Sequence, residues 1–229
     1  MDEAVSALAA RLARRLKAMG GTVCCAESCT GGLLSSTLTD LSGASEWYRQ
    51  SWITYTDEAK HRHLGVPLEL LEAHGAVSSE VALSMAVGAR ERAGTTLAIS
   101  ITGIAGPKAD ATEKPIGVVY VGISTPDGKK AKQARFGGSR QENKESFVSF
   151  ALQIAIEQWD YLRAKDARAA EEDSEKREML RMREEEARLK RVVAEAKAKT
   201  LAPWQEQDWR KQEGDRGIGG DVEWKDSSE

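Results

Sequence analysis

Ser28, Cys29 and Thr30 stand between a β-prone run, Thr22-Val23-Cys24-Cys25-Ala26, and the pair Gly31-Gly32. An amphipathic segment follows, with Leu33, Leu34, Leu38 and Leu41. That order reads as strand, tight turn, helix. Such a turn exposes a hydroxyl or thiol at a strand's end, and the first N–H groups of the next helix favour negative charge at the same place. Gly31 and Gly32 let a ligand approach the backbone. One stretch therefore offers a nucleophile with an oxyanion hole or a phosphate seat. An ordinary strand-to-helix turn with a Ser/Thr cap would give the same pattern. Cys29 is a rival nucleophile, because a helix N-terminus lowers thiol pKa values; it also reads as a small buried hydrophobe.

A serine hydroxyl needs a base. His61 and His63 sit on a polar helical turn and His74 precedes a glycine, so no histidine has an obvious claim. Lys60 starts a helix close to a strand end, where burial and the helix dipole would favour its neutral form; a solvated surface charge is the alternative. Tyr55, at the preceding strand's end, can relay the proton, orient the lysine or simply fill the rim. Thr102-Gly103-Ile104-Ala105-Gly106-Pro107 ends another strand, and its glycines would let N–H groups reach a ligand. Glu113-Lys114-Pro115 closes the same pocket or lies on a surface loop. Arg140, just before a long helix, offers fork geometry suited to a phosphate.

The elements that must position these residues follow from periodicity. Residues 4–19 carry Val5, Leu8, Leu12, Leu16 and Met19 on one helical stripe, ended by Gly20-Gly21. Strands are expected over 22–26, at the end of 46–55, and over 96–102, 116–124 and 131–136. Helices are expected from Gly32 to near Asp40, over 57–64 and 67–73, from an N-cap at Ser78, and over 141–162. Strands alternating with helices, with 96–102 apolar enough to be buried on both faces, predict an α/β domain. The fold expected is a three-layer α/β/α sandwich with a mixed sheet. Three loops (27–32, 55–60 and 102–115) follow strand ends, where ligands collect in open α/β sheets.

A charged helical C-terminal extension follows that domain. From Lys165 to Glu229 there are 15 Lys+Arg and 18 Asp+Glu, so this segment carries the whole net charge of −3. Residues 171–199 lack Pro and Gly and hold Glu–Lys/Arg pairs at helical spacing (Glu184/Arg188, Glu186/Lys190), with a weak stripe of Met179, Met182, Leu189 and Val193. A solvated single helix or a loose coiled coil is expected over 164–202, without a convincing heptad seam, and disorder over 203–229. A partner-docking arm at 165–229 is the sharper alternative. No apolar run approaches a membrane helix, and the acidic start does not read as a signal peptide. No nucleic-acid or membrane partner is expected. Three cysteines within six positions suit reduced thiols in a cytoplasmic protein, and the histidines lack a metal-ligand pattern.

Four linked motifs carry a resemblance: Ala26-Glu27-Ser28-Cys29-Thr30-Gly31-Gly32; Thr54-Tyr55-Thr56-Asp57-Glu58-Ala59-Lys60; His74-Gly75-Ala76-Val77-Ser78; and Ile101 to Pro107 with Glu113-Lys114-Pro115-Ile116-Gly117. In this order they resemble the C-terminal domain of the competence/damage-inducible CinA family, also found as stand-alone nicotinamide-nucleotide amidase, over about residues 4–160. The resemblance implies deamidation of nicotinamide mononucleotide to nicotinate mononucleotide and ammonia, without a metal or redox cofactor. It implies Ser28 as nucleophile with Lys60 and Tyr55 as activating partners. Thr30, Gly31, Thr102, Gly103 and Gly106 would line the oxyanion and substrate pocket, and Arg140 would hold the phosphate. It also implies a pyridine-nucleotide partner, a homo-oligomer, and a catalytic domain over residues 1–163. Asp57 stands where the family usually has Asn, and Lys108-Ala109-Asp110-Ala111-Thr112 replaces a glycine-rich run. The N-terminal domain of longer members is expected to be absent. A non-catalytic nucleotide-binding module and a tail-driven scaffold are the competing readings.

Overall fold

Leu97 to Thr102 are buried without a break, and the sheet is built outward from this strand. The computed structural model describes residues 3–108 and 114–200. The element order is α1 (Glu3–Ala18), β1 (Val23–Glu27), α2 (Leu33–Thr39), a 3-10 turn (Ala44–Glu46), β2 (Tyr48–Ile53), α3 (Asp57–Leu64), α4 (Leu68–His74), α5 (Ser79–Ala93), β3 (Leu97–Gly103), β4 (Val118–Thr125), β5 (Gly128–Arg135) and α6 (Arg140–Thr200). The strands lie in the order β2-β1-β3-β4-β5. β1 is parallel to β2 and β3, whereas β4 runs antiparallel to β3 and β5 antiparallel to β4. The sheet is therefore mixed, as expected.

Helices cover both faces. One core joins Leu12 and Leu16 of α1, Leu34 and Leu38 of α2, and Phe147, Ala151 and Leu152 of α6 to the face bearing Val23, Cys25, Ile99, Ile101, Val119 and Val121. The other joins Leu64, Leu71, Val81, Met85 and Ala89 to Cys24, Ala26 and Ala98. Neighbours along β1 and β3 thus serve opposite cores, as strand geometry requires. The α1 stripe differs at its end: Met19 lies beyond the helix and is exposed. Arg15 holds Asp160 in a two-pronged ion pair (2.7 and 2.9 Å) that ties α1 to α6. Ser78 caps α5, its Oγ accepting from Val81 N at 3.3 Å.

β1 lies between β2 and β3, and the chain leaves it through α2 on one face and reaches β3 through α3 to α5 on the other. The carboxyl end of β1 is therefore the point where successive connections diverge, the place where open α/β sheets bind ligands. β5 forms one open margin; it starts three residues earlier than expected and is mostly exposed. Its residues include Lys129, Lys130 and Lys132.

Chain contacts divide the molecule into Met1–Arg168 and Ala169–Glu229. Two expected helices prove to be one, because no Gly or Pro interrupts residues 140–200. In the second unit the described side chains of 169–199 are all exposed, and Asp173–Arg177 and Glu186–Lys190 pair one turn apart at 2.7 Å each. The expectations for residues 109–113 and 203–229 lie outside the described residues. Among the described residues no helix is long and apolar enough to cross a membrane, and no cluster of three or more His, Cys, Asp or Glu is placed to hold a metal.

Candidate active site

The turn after β1 is shaped by a residue that the spacing argument passed over. Glu27 is fully buried. Its Oε2 accepts from Thr30 Oγ1 (2.7 Å), Gly32 N (3.0 Å) and Leu34 N (3.1 Å), and its Oε1 from Ser35 N (2.8 Å) and Ser35 Oγ (2.5 Å). The carboxylate thus occupies the N-terminus of α2, the position where an external anion was expected. The attraction is the one foreseen, free N–H groups and a helix dipole drawing negative charge, but the chain supplies the charge itself. Gly32, at φ 98°, adopts a left-handed conformation that bends the N–H groups around Glu27. Thr30 is fully buried with its hydroxyl on Glu27, and Gly31 is exposed, its N–H donating to Ser28 O at 3.1 Å. Neither lines the cavity described next, which corrects the placement expected for these two residues.

A cavity of about 250 Å³ opens at the carboxyl ends of β1 and β3. Ser28, Tyr55, Lys60, Thr102, Gly103, Gly106 and Arg140 all line it, with Lys108 at its edge. Seven of the nine residues expected at the site therefore meet, although they come from three separate loops and the start of α6. Ser28 is held by its backbone, its N–H donating to Ile101 O at 3.0 Å. Its hydroxyl has no hydrogen-bond partner among the described residues. The N–H groups of Cys29, Ala105 and Gly106 likewise reach no oxygen acceptor among the described residues. The Cys29 N–H meets its own thiol, whereas buried N–H groups are rarely left unpaired, so those of Ala105 and Gly106 are donors in reserve.

Lys60 sits one turn into α3, on the inward face with Leu64, and its side chain is 1% exposed. Thr56 caps that helix by accepting from Ala59 N at 3.2 Å. The ammonium nitrogen donates to Asp57 Oδ1 at 3.4 Å and to the Tyr55 carbonyl at 3.5 Å. Burial lowers the Lys60 pKa; the half-exposed Asp57 carboxylate opposes this without reversing it. No hydrogen bond joins Lys60 to Ser28, although both line the cavity. The Tyr55 hydroxyl accepts from Arg140 at 2.9 Å, so the tyrosine meets the lysine through its carbonyl rather than its phenol. Burial pushes the Cys29 thiol up to about 12, which keeps it protonated near neutrality and weakens its claim as nucleophile.

The walls are tied from behind. Thr102 Oγ1 donates to Ala76 O at 2.8 Å, and Lys114 donates to His74 O at 3.1 Å and to Val77 O. Arg140 donates to Gly106 O as well as to Tyr55, linking two loops across the opening. Asn143, one turn later on α6, is buried and donates to Ala105 O and Gly138 O, each at 3.0 Å. Gly103 is required by close approach: a Cβ there would lie 2.5 Å from Val118 O. Glu27 and Asn143 are the positioning residues that sequence reasoning missed. Glu27 stood inside a quoted motif; Asn143 carried no signal beyond its spacing from Arg140.

The model of the CinA C-terminal domain matches residues 5–159. The nicotinamide-nucleotide amidohydrolase PncC of Enterobacter agglomerans is 42% identical over 154 residues, covering 66% of this chain and 93% of that protein. A CinA-like protein of Syntrophobacter fumaroxidans is 46% identical over 138 residues, 60% of this chain but only 32% of its own length. Among solved structures, the competence/damage inducible protein CihA of Agrobacterium tumefaciens aligns with a TM-score of 0.66 at 37% identity, over 68% of this chain and 96% of that one.

Proposed function

The chain belongs to the CinA C-terminal domain family, and from that premise we propose that it is an amidohydrolase acting on nicotinamide mononucleotide through a serine acyl-enzyme. The observation that carries the reading is the meeting of Ser28, a buried Lys60 and the Arg140 guanidinium around one cavity. Burial favours the neutral amine of Lys60, the form a general base needs. In the proposed reaction Ser28 Oγ attacks the carboxamide carbon while Lys60 takes the hydroxyl proton. The tetrahedral oxyanion is met by the N–H groups of Ala105 and Gly106, which have no acceptor among the described residues, and by that of Cys29, turned from its own thiol. The C–N bond then breaks, and Lys60 returns the proton to the leaving nitrogen, which departs as ammonia. Water, giving a proton to Lys60, attacks the acyl carbon; as the ester bond breaks Lys60 returns that proton to Ser28 Oγ, releasing nicotinate mononucleotide and the free hydroxyl. Tyr55 steadies the lysine through its carbonyl, and Arg140, already hydrogen-bonded to the Tyr55 hydroxyl, holds the phosphate.

In this reading residues 1–163 form the catalytic unit and work without a metal or redox cofactor, as a homo-oligomer in the cytoplasm. Residues 164–202 stand outside that unit as a charged, solvated helix or loose coiled coil, and an arm for a protein partner at 165–229 is the alternative. The decisive experiment is ammonia release from nicotinamide mononucleotide by the purified full chain. Ser28→Ala and Lys60→Ala abolish it, whereas Cys29→Ala retains it; the reverse pattern for the first and last would transfer the nucleophile to Cys29. A second reading, a binding module without turnover, draws on the missing Ser28–Lys60 hydrogen bond and on the Asp57 charge beside the amine. Calorimetric binding of the mononucleotide with no ammonia released would select it.

A further inference from the structure

The N-termini of α2 and α6 already carry negative charge. Glu27 fills that of α2. At α6, Ser139 and Glu142 form a reciprocal cap: Glu142 Oε2 accepts from Ser139 N at 2.7 Å and Ser139 Oγ from Glu142 N at 3.4 Å. An external anion at either helix end would face a carboxylate. The charge available to a ligand anion must come from side chains. Three of the cavity-lining residues carry basic side chains, Lys60, Lys108 and Arg140, and among the described residues no carboxylate lines it. Lys60 is buried beside Asp57. Among the described residues Arg140 bonds only to neutral acceptors, Gly106 O and the Tyr55 hydroxyl. Lys108 is exposed and has no acceptor among the described residues. Lys108 and Arg140 thus share one mouth with no anion between them among the described residues; two such cations repel each other, and a dianionic ligand relieves this.

We propose that Lys108 and Arg140 together seat the substrate's phosphate, so that Lys108 is a specificity-determining residue for phosphomonoesters over the corresponding nucleosides. This rests on the amidase reading for the identity of the substrate. The guanidinium supplies planar, directional donors, and the ammonium, on its flexible stem, supplies a movable charge that closes on the opposite side of the phosphate.

The test compares ammonia release from nicotinamide mononucleotide and from nicotinamide riboside by the full chain. Lys108→Ala raises KM for the mononucleotide about tenfold, the loss of one charge-assisted hydrogen bond, with kcat within about twofold. The preference for mononucleotide over riboside falls by the same factor. Lys108→Arg restores most of it, and Lys129→Ala, an equal loss of charge outside the cavity, leaves the preference intact. An unchanged KM in Lys108→Ala, or an equal loss on the riboside, would overturn the assignment. Calorimetric titration of ribose 5-phosphate separates this from the amidase reading. If the wild-type chain releases no ammonia, that reading fails, and the titration alone decides Lys108: weakening of about tenfold in Lys108→Ala supports it, and equal affinity refutes it.

Discussion

Replacing Glu27 by Gln keeps the shape of the side chain, removes its charge and turns one acceptor oxygen into a donor. If the amide nitrogen takes the place of Oε1 it faces Ser35 N; in the place of Oε2 it faces Gly32 N and Leu34 N. Either way at least one buried N–H loses its acceptor and meets another donor. One charge-assisted hydrogen bond contributes about 1.5–3 kcal/mol. The carboxylate's interaction with the helix dipole adds about 0.3–1 kcal/mol, up to about 2 in a buried setting. The expected loss is about 2–5 kcal/mol, a large part of the ~5–15 kcal/mol that holds a domain folded. Taking about 3 kcal/mol as the middle value, Tm falls by roughly 6–12 °C in a chain of this size. Thr30→Val removes only one hydroxyl donor and costs about 1 kcal/mol. Thermal and urea unfolding followed by Trp fluorescence read both variants, and turnover reads the consequence for Ser28, which follows Glu27 directly. A Glu27→Gln protein melting within about 2 °C of the parent, with full turnover, would show that the carboxylate does not hold the turn.

Asp57→Asn removes the one carboxylate that raises the Lys60 pKa; it therefore lowers that pKa further and moves the acid limb of kcat/KM to lower pH, and an unmoved limb would remove Lys60 as the base. Because the folded-state pKa of Lys60 lies below its unfolded value, the unfolded chain binds more protons between the two, and stability rises with pH across that window. Lys60→Met accordingly raises Tm at neutral pH, and its advantage over the parent shrinks as the pH rises toward the ordinary lysine range. Asn143→Ala frees the Ala105 and Gly138 carbonyls and lowers Tm by a few degrees, the effect of about 1–2 kcal/mol; loss of kcat beyond loss of folded protein measures how far this tether sets the 105–106 loop. Truncation after Arg168 leaves turnover within about twofold, since relatives of this chain end near the family match.

Much of the architecture was legible because local signals agreed. Leu97–Thr102 read as a doubly buried strand, and Ser78 and the glycine pairs marked element ends where they occur. The meeting of Ser28, Tyr55, Lys60, Thr102 and Arg140 followed from strand ends gathering at one edge of the sheet. The occupant of the α2 N-terminus was not legible. A cap is ordinarily sought at the residue before the helix, whereas Glu27 reaches it from the preceding strand, across a left-handed Gly31-Gly32 turn that spacing alone does not reveal. The burial of Lys60 was hidden for a related reason: Asp57-Glu58-Ala59-Lys60-His61-Arg62 reads as a solvated turn, and only the inward phase shared with Leu64 turns the lysine in. The continuity of α6 through residues 163–170 could have been read from the absence of any breaker.

The lysines of β5 bear on how the molecule behaves in company. An unpaired strand at a sheet's margin invites a strand from another molecule to extend it. A second copy of this chain would have to bring its own ammonium groups alongside Lys129 and Lys130, while Lys132 is paired with Glu157 of α6 at 2.6 Å. The mutual repulsion of those charges guards this margin against fibrous association, so crowding is resisted by charge.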